Sequence, residues 1–146
     1  MTKPNEPIKE FIGIGKPFLG VCLGLQLLLN GSDEGKEPGL GILEGWVRQL
    51  PAGNKIPHMG WNQIKFNFDH PLFSGIESGS HFYFVHSYYA DPEQQSTVLG
   101  SSTYGIRFCS AVASDNIMAV QFHPEKSGIN GLKIYENFVR LVGNIS

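Results

Sequence analysis

Two cysteines, Cys22 and Cys109, are all that the 146 residues contain, too few for a disulfide framework and without the spacing of metal ligands. Each must be judged by its surroundings. Long apolar runs are missing too. The longest, residues 17–29, is interrupted by Gly, Cys and Gln and is too short to span a bilayer. The start has no basic-then-apolar signal pattern, so a cytoplasmic protein with no membrane partner is expected. Charge is equally unremarkable in its distribution: a net charge of −2 with no basic stripe and no run of one sign argues against nucleic acid and favours a small-molecule or protein partner. Repeats, low-complexity stretches and interdomain linkers are absent. What remains, 41% hydrophobic and 12% aromatic residues, suffices for the core of one domain, residues 1–146.

Along the chain, a polar opening leads to an Ile8, Phe11, Ile12 cluster that reads as the end of a helix, closed by Gly13 and Gly15. Residues 16–22 form a short apolar run of the kind found in buried parallel strands. Residues 23–30 read as a helix stopped by Gly31. From residue 39 to 91 the pattern turns to β-favouring segments at 45–50, 62–68 and 81–89, separated by turn residues. Strands at 108–114 and 117–122 flank Asp115-Asn116, a two-residue hairpin turn. Residues 131–142 set Leu132, Ile134, Tyr135, Phe138, Leu141 and Val142 near helical spacing, predicting an amphipathic closing helix.

Gly20-Val21-Cys22-Leu23-Gly24 is a G-x-C-x-G sequence at the junction of strand and helix, the cysteine counterpart of a nucleophile elbow. A side chain displayed at so tight a turn sits on strained backbone, and the residues two before and two after must be nearly free of side chain. The following helix N-terminus should lower the thiol pKa and offer backbone N–H groups, that of Leu23 among them, to a developing oxyanion. Against this stands the commoner fate of a free cysteine, a small buried hydrophobe. The motif alone does not decide between them, so a base is needed.

Among five histidines, His123 follows an apolar strand and stands two residues before Glu125. On an extended backbone, i and i+2 project to one side, so Glu125 can hold the ring of His123 while its other nitrogen faces a thiol. Pro124 suits the end of such a strand. An arbitrary H-x-E is usually a surface pair; beside the elbow that reading weakens. Cys109 reads as core, and His70 and His81 as surface or turn positions.

Residues 17–26, Pro-Phe-Leu-Gly-Val-Cys-Leu-Gly-Leu-Gln, together with residues 121–125, Gln-Phe-His-Pro-Glu, resemble the class I glutamine amidotransferase family. The resemblance implies an α/β, flavodoxin-like sheet with helices on both faces and a Cys22-His123-Glu125 triad. Cys22 would attack the glutamine side-chain amide, His123 would pass a proton to the departing ammonia, and Glu125 would orient His123. It also implies substrate contacts at Leu23, Gly24 and Gln26 and along His86, Ser87 and Tyr88. Residues 55–62, 82–88 and 124–128 look like those of glutaminase subunits of imidazole glycerol phosphate synthase. Such subunits form a heterodimer with a (β/α)8-barrel cyclase subunit that uses the released ammonia in histidine biosynthesis. The interface so implied is Pro57, Met59, Gly60, Trp61 and Asn62, with His58 in the same docking loop, and Tyr83 and Lys126 lie near the gate for ammonia. Read without the family, Met59 and Trp61 are as easily core. No metal or other cofactor is expected, because thiolate and imidazole suffice for this chemistry.

The chain departs from the family at its start, where the opening strands and the Pro-Gly-x-Gly loop that supplies a second oxyanion donor are not found. A sheet lacking its first strands is therefore expected, and loss of one such donor typically costs roughly a hundredfold to a thousandfold in rate. Three alternatives stay open: a class I amidotransferase serving another synthase, a docking module without turnover, and a Cys-His hydrolase of a different kind.

Overall fold

The computed structural model describes residues 6–144; the first five residues of the polar opening lie outside them. In chain order the elements are helix α1 (Glu6–Gly13), strand β1 (Phe18–Val21), the single helical turn α2 (Leu23–Gln26), strands β2 (Gly31–Ser32), β3 (Gly45–Gln49), β4 (His58–Gln63), β5 (Lys65–Phe66), β6 (His81–His86), β7 (Tyr88–Pro92), β8 (Val98–Tyr104), β9 (Ile106–Ser114) and β10 (Ile117–Val120), and helix α3 (Gly128–Asn144). The strands form a five-stranded sheet ordered β1-β10-β9-β8-β5, a three-stranded sheet β2-β3-β7, and the pair β4-β6. β1 runs parallel to β10 and β2 parallel to β3; every other pairing is antiparallel.

The large sheet is buried on both faces, and β10 shows how. Ile117 and Ala119 enter one core cluster with Ile12, Leu25, Val47 and Ala90, while Met118 and Val120 enter the other with Phe82, Phe84, Phe122 and Ile134. This is the period of two expected of a strand, applied to a strand with no polar face. α1 and α2 thus lie over one face with the three-stranded sheet, and α3 lies over the other with the β4-β6 pair. The α/β class with helices on both faces is as expected, although the sheets are mixed rather than parallel. β1 and β5 are the edge strands of the large sheet among the described residues.

Several elements differ from their sequence reading. The helix expected over residues 23–30 is one turn long. Leu28 and Leu29 bond back only three residues, and the carbonyls of Leu27, Leu28 and Leu29 accept from the amides of Leu40, Ile42, Leu43 and Gly41 instead of from further helix. Gly31 is no helix stop; it lies in β2 under the ring of Trp46, whose atoms a Cβ would meet at 2.5 Å. Residues 81–89 are two strands: β6 pairs with β4, β7 pairs with β3, and only Ser87 separates them. β8, which contains Gly100-Ser101-Ser102, is not among the strands expected from the sequence. The small residue there makes room for Ile64, whose Cγ2 lies 2.7 Å from where a Gly100 Cβ would stand. The hairpin at Asp115-Asn116 forms, with Asp115 at φ 51°.

α3 starts earlier than expected and turns a different face inward. Ile134 and Asn137 are buried, and Phe138 and Leu141 pack partly against the core. Leu132, Tyr135 and Val142 are exposed. Asn137 explains the rotation: its amide donates to the carbonyls of Leu72 and Ser74 at 2.8 and 2.9 Å, which fixes a polar residue at the centre of the buried stripe.

Candidate active site

β1 delivers Cys22 to the surface of the sheet. Its amide donates to the Val120 carbonyl at 2.8 Å, and its backbone then turns to φ 55°, ψ −102°, a conformation costly for a residue with a side chain. Gly20 has the role expected of it, since a Cβ there would lie 2.8 Å from the Gly24 carbonyl group and 3.2 Å from Ala119 Cβ. Gly24 does not: a Cβ there would meet nothing within 4 Å. The tight requirement is on the strand side of the elbow, where the following turn folds back over it.

The expectation of a thiol pulled toward thiolate is corrected by the structure. Burial pushes the Cys22 thiol up, and the nearby charge of Glu125 adds to this, while hydrogen bonds from the Leu23 amide and the Gln121 side chain pull it down without prevailing. α2 is a single turn, and so short a helix brings little of the N-terminal field on which the expectation rested. Cys109, by contrast, is core as expected, its thiol pushed by burial to about 12.

His123 and Glu125 meet as expected, Nδ1 to Oε2 at 3.0 Å, but on different backbone. β10 ends at Val120; His123 precedes a 3-10 turn, Pro124–Lys126, that carries Glu125 back to the ring. The His123 amide donates to the Tyr83 carbonyl at 2.9 Å, and its carbonyl accepts from Ser127 Oγ at 2.7 Å. Ser127 Oγ in turn accepts from the Tyr83 amide at 2.9 Å. The ring is thus fixed in place, and its Nε2 is buried without a hydrogen-bond partner. A buried polar atom left unpaired is uncommon in a folded chain, and here it leaves the nitrogen without a competing bond, as a base needs. The sulfur of Cys22 accepts instead from Gln121 Nε2, at 3.4 Å.

Gln121 is a site residue to which the sequence reading gave no role. It is fully buried, and a glutamine closing an apolar strand was the available signal, because such a side chain must find partners. Gln26, expected against substrate, is tied inward: its Nε2 donates to the Tyr88 carbonyl at 3.0 Å and to Gln121 Oε1 at 3.1 Å. Leu23, Gly24 and Gln26 do line one groove, of about 320 Å³, with Ser32, Glu34 and Val47. His86, Ser87 and Tyr88 are not in its wall.

The implied docking residues divide by strand periodicity. On β4, Met59 and Trp61 are 60% and 55% exposed, and Trp61 stands edge-on to Tyr83 across the β4-β6 pair. Gly60 has φ 136°, which favours glycine. Pro57 follows a cis peptide bond, and Lys126 is exposed. His58 is corrected: it is buried, 3% exposed, with its ring bonded to His86, because it occupies the inward position of the alternating strand. His70 caps the 3-10 turn Pro71–Phe73, accepting from the Leu72 amide at 3.1 Å.

The sequence model of the family described as Glutamine amidotransferase class-I matches residues 2–142. Curated relatives include the imidazole glycerol phosphate synthase subunit HisH of Dehalococcoides mccartyi (strain CBDB1), 49% identical over 94% of this chain and 67% of its own length. The subunit of the same name from Thermococcus kodakarensis is 52% identical over 93% of this chain and 74% of its own. The chain thus spans about two thirds of the length of the first of these, the 67% above. Among solved structures, one described as a glutamine amidotransferase superposes with a TM-score of 0.68 at 20% identity, covering 95% of this chain and 68% of that one. A glutamine amidotransferase from Thermotoga maritima gives 0.63 at 20% identity, covering 95% and 54%; at such identity these two speak for the fold. The family match over nearly the whole chain and the close relatives leave one assignment: this chain belongs to the class I glutamine amidotransferase family.

Proposed function

We propose that the chain hydrolyses the side-chain amide of glutamine, using Cys22, His123 and Glu125, and passes the ammonia to a (β/α)8-barrel cyclase partner in histidine biosynthesis. The observation that carries this is the imidazole of His123, held by Glu125 through Nδ1 with Nε2 buried and unpartnered, in the same fold as a strained, solvent-accessible cysteine.

In the reaction so read, the proton of the Cys22 thiol passes to His123 Nε2 and the sulfur attacks the amide carbon. The Leu23 amide, at the start of α2, stabilises the oxyanion as the C–S bond forms. His123 returns its proton to the nitrogen, the C–N bond breaks, and ammonia leaves a glutamyl thioester on Cys22. Water, activated by His123, then cleaves the C–S bond, giving glutamate and the free thiol. Glu125 stabilises the imidazolium and keeps the reacting nitrogen in place. Leu23, Gly24 and Gln26 would seat the glutamine in the groove they line, and the resemblance adds His86, Ser87 and Tyr88, which lie outside its wall. Met59 and Trp61 would anchor the cyclase beside Pro57, Gly60 and Asn62, with Tyr83 and Lys126 at the ammonia gate. Two exposed large side chains on one strand face are good partner anchors.

A second reading, a docking module with little turnover, is favoured by the upward shift of the Cys22 thiol. One assay separates the two: glutamate release from glutamine by the purified chain with a barrel cyclase and its nucleotide substrate, beside Cys22→Ala. Release that needs both partner and Cys22 supports the first reading. Tight binding to the cyclase without glutamate release would leave only the second.

A further inference from the structure

A continuous run of hydrogen bonds joins the outer end of β4 to the thiol, and its polarity can be deduced atom by atom. Asn62 Oδ1 accepts from the Gln63 amide at 2.7 Å, which assigns its Nδ2 as the donor to the Thr103 carbonyl at 2.9 Å and to His58 Nε2 at 3.3 Å. His58 Nε2 must therefore accept, so its proton is on Nδ1. That proton is directed at His86 Nε2, 2.9 Å away, which must accept as well. The proton of His86 is then also on Nδ1 and goes to the Tyr88 carbonyl at 2.9 Å, an atom that can only accept. The same carbonyl accepts from Gln26, Gln26 donates to Gln121, and Gln121 donates to Cys22 Sγ. Both ends of the imidazole pair demand the same tautomer, and the assignment closes without contradiction.

We propose that His58 and His86 are positioning residues for the nucleophile: a pair of neutral imidazoles, each protonated on Nδ1, that fixes the Tyr88 carbonyl and through it the Gln26 and Gln121 side chains that bond Cys22. This rests on the reading of Cys22 as the nucleophile. Both rings are buried, and His58 is further clamped between Phe84 and Tyr104, with centroids 5.1 and 4.1 Å away. Protonating either ring would set donor against donor, His58 against Asn62 or His86 against His58. Burial lowers both rings from the usual imidazole range, His58 to about 4. The titratable neighbours are Tyr104, stacked on His58, and His123, whose charge bears on His86 through space. Asn62, on the His58 side of β4 and next in sequence to the exposed Trp61, is the outer end of the run.

Two measurements on the whole chain test this without glutamine turnover. Imidazole 15N shifts of the wild type at pH 7 are expected to place both rings in the neutral Nδ1–H tautomer. The pH profile of Cys22 alkylation by iodoacetamide, with Cys22→Ala as the blank, reads the sulfur directly. His58→Phe keeps the stacked ring and removes both bonds, and is expected to move this profile upward, slowing alkylation at pH 8 by about threefold or more. His58→Asn, whose amide still donates toward His86, is expected to restore the rate to within about twofold. An Nε2–H tautomer at either ring overturns the proposal, and so does a folded His58→Phe protein whose profile superposes on the wild type. Should His58→Phe fail to fold, the tautomers decide. Absence of glutamate release with normal tautomers and a shifted profile would instead count against the glutaminase reading alone.

Discussion

Gln121 Nε2 lies 3.4 Å from Cys22 Sγ, donated to the sulfur by a side chain with no exposure to solvent. A buried amide is oriented by its other bonds, here the one from Gln26, so the donor is preorganised for negative charge on sulfur. Gln121→Leu removes it and leaves Gln26 with one partner fewer. The expected result is a rise in the thiol pKa and a fall of about tenfold in kcat/KM, in keeping with the ~1–3 kcal/mol of a lost buried hydrogen bond. An unchanged alkylation profile for this variant would show that the contact carries no weight.

Glu125 holds the imidazole of His123 through Nδ1. Glu125→Gln leaves the shape and removes the charge that stabilises an imidazolium, so kcat is expected to fall by about a hundredfold with KM little changed. Its side chain is 48% exposed, which limits the effect through solvent screening. Steady-state glutaminase kinetics check this, and a loss below about threefold would remove Glu125 from the triad.

The two glycines of the elbow should behave differently. Gly20→Ala drives a methyl to within 2.8 Å of the Gly24 carbonyl group, a backbone clash expected to destabilise the fold by about 2 kcal/mol or more. Gly24→Ala meets open space inside a helical turn that favours alanine, with an expected change under about 1 kcal/mol. Urea midpoints of the two variants provide the comparison, and equal destabilisation would contradict the packing described.

Stability should fall in mild acid because of His58. Its folded pKa, about 4, is below the usual 6.5, so the unfolded chain takes up the proton first as the pH drops. The neutral ring's contribution is complete above about pH 6.5 and is lost progressively down to about pH 4, an effect on the order of 2–3 kcal/mol. Denaturant unfolding at intervals across this window should show the decline in the wild type and less of it in His58→Phe.

Trp61→Ala should weaken binding to a barrel cyclase by about 2 kcal/mol, while the thiol alkylation profile stays near that of the wild type. Calorimetric titration measures it, and full-strength binding would place the interface elsewhere.

Much of this was legible beforehand because it depends on local rules. The Cys22 elbow and the His123-Glu125 pair each lie within five residues, β10 announces itself as an apolar run and α1 by the spacing of Ile8, Phe11 and Ile12. What was not legible depends on contacts between distant segments. β8 is a strand because it pairs with β9 from Val98 to Tyr104, and Gly100 within it leaves room for Ile64; neither contact is stated by residues 98–104 themselves. The end of α2 is decided by the amides of residues 40–43, which take the carbonyls of Leu27, Leu28 and Leu29. α3 turned out rotated since Asn137, polar in sequence, is the residue the 3-10 turn at Pro71–Phe73 binds. His58 lay in a stretch that looked like a surface loop, and its burial follows from the pairing of β4 with β6, where every second residue is committed inward. Likewise the thiol's upward shift comes from surrounding packing that a five-residue motif does not contain.

The single residue between β6 and β7 has a mechanical meaning. His86 belongs to one sheet and Tyr88 to another, and peptide planes are rigid, so only the two backbone torsions of Ser87 can absorb a tilt of the β4-β6 ribbon against the rest of the molecule. The Leu50 amide holds the Ser87 carbonyl at 2.9 Å, which stiffens even that joint. The ribbon that carries Trp61 and the strand that carries the Tyr88 carbonyl are therefore joined, at this point, by a single residue of backbone.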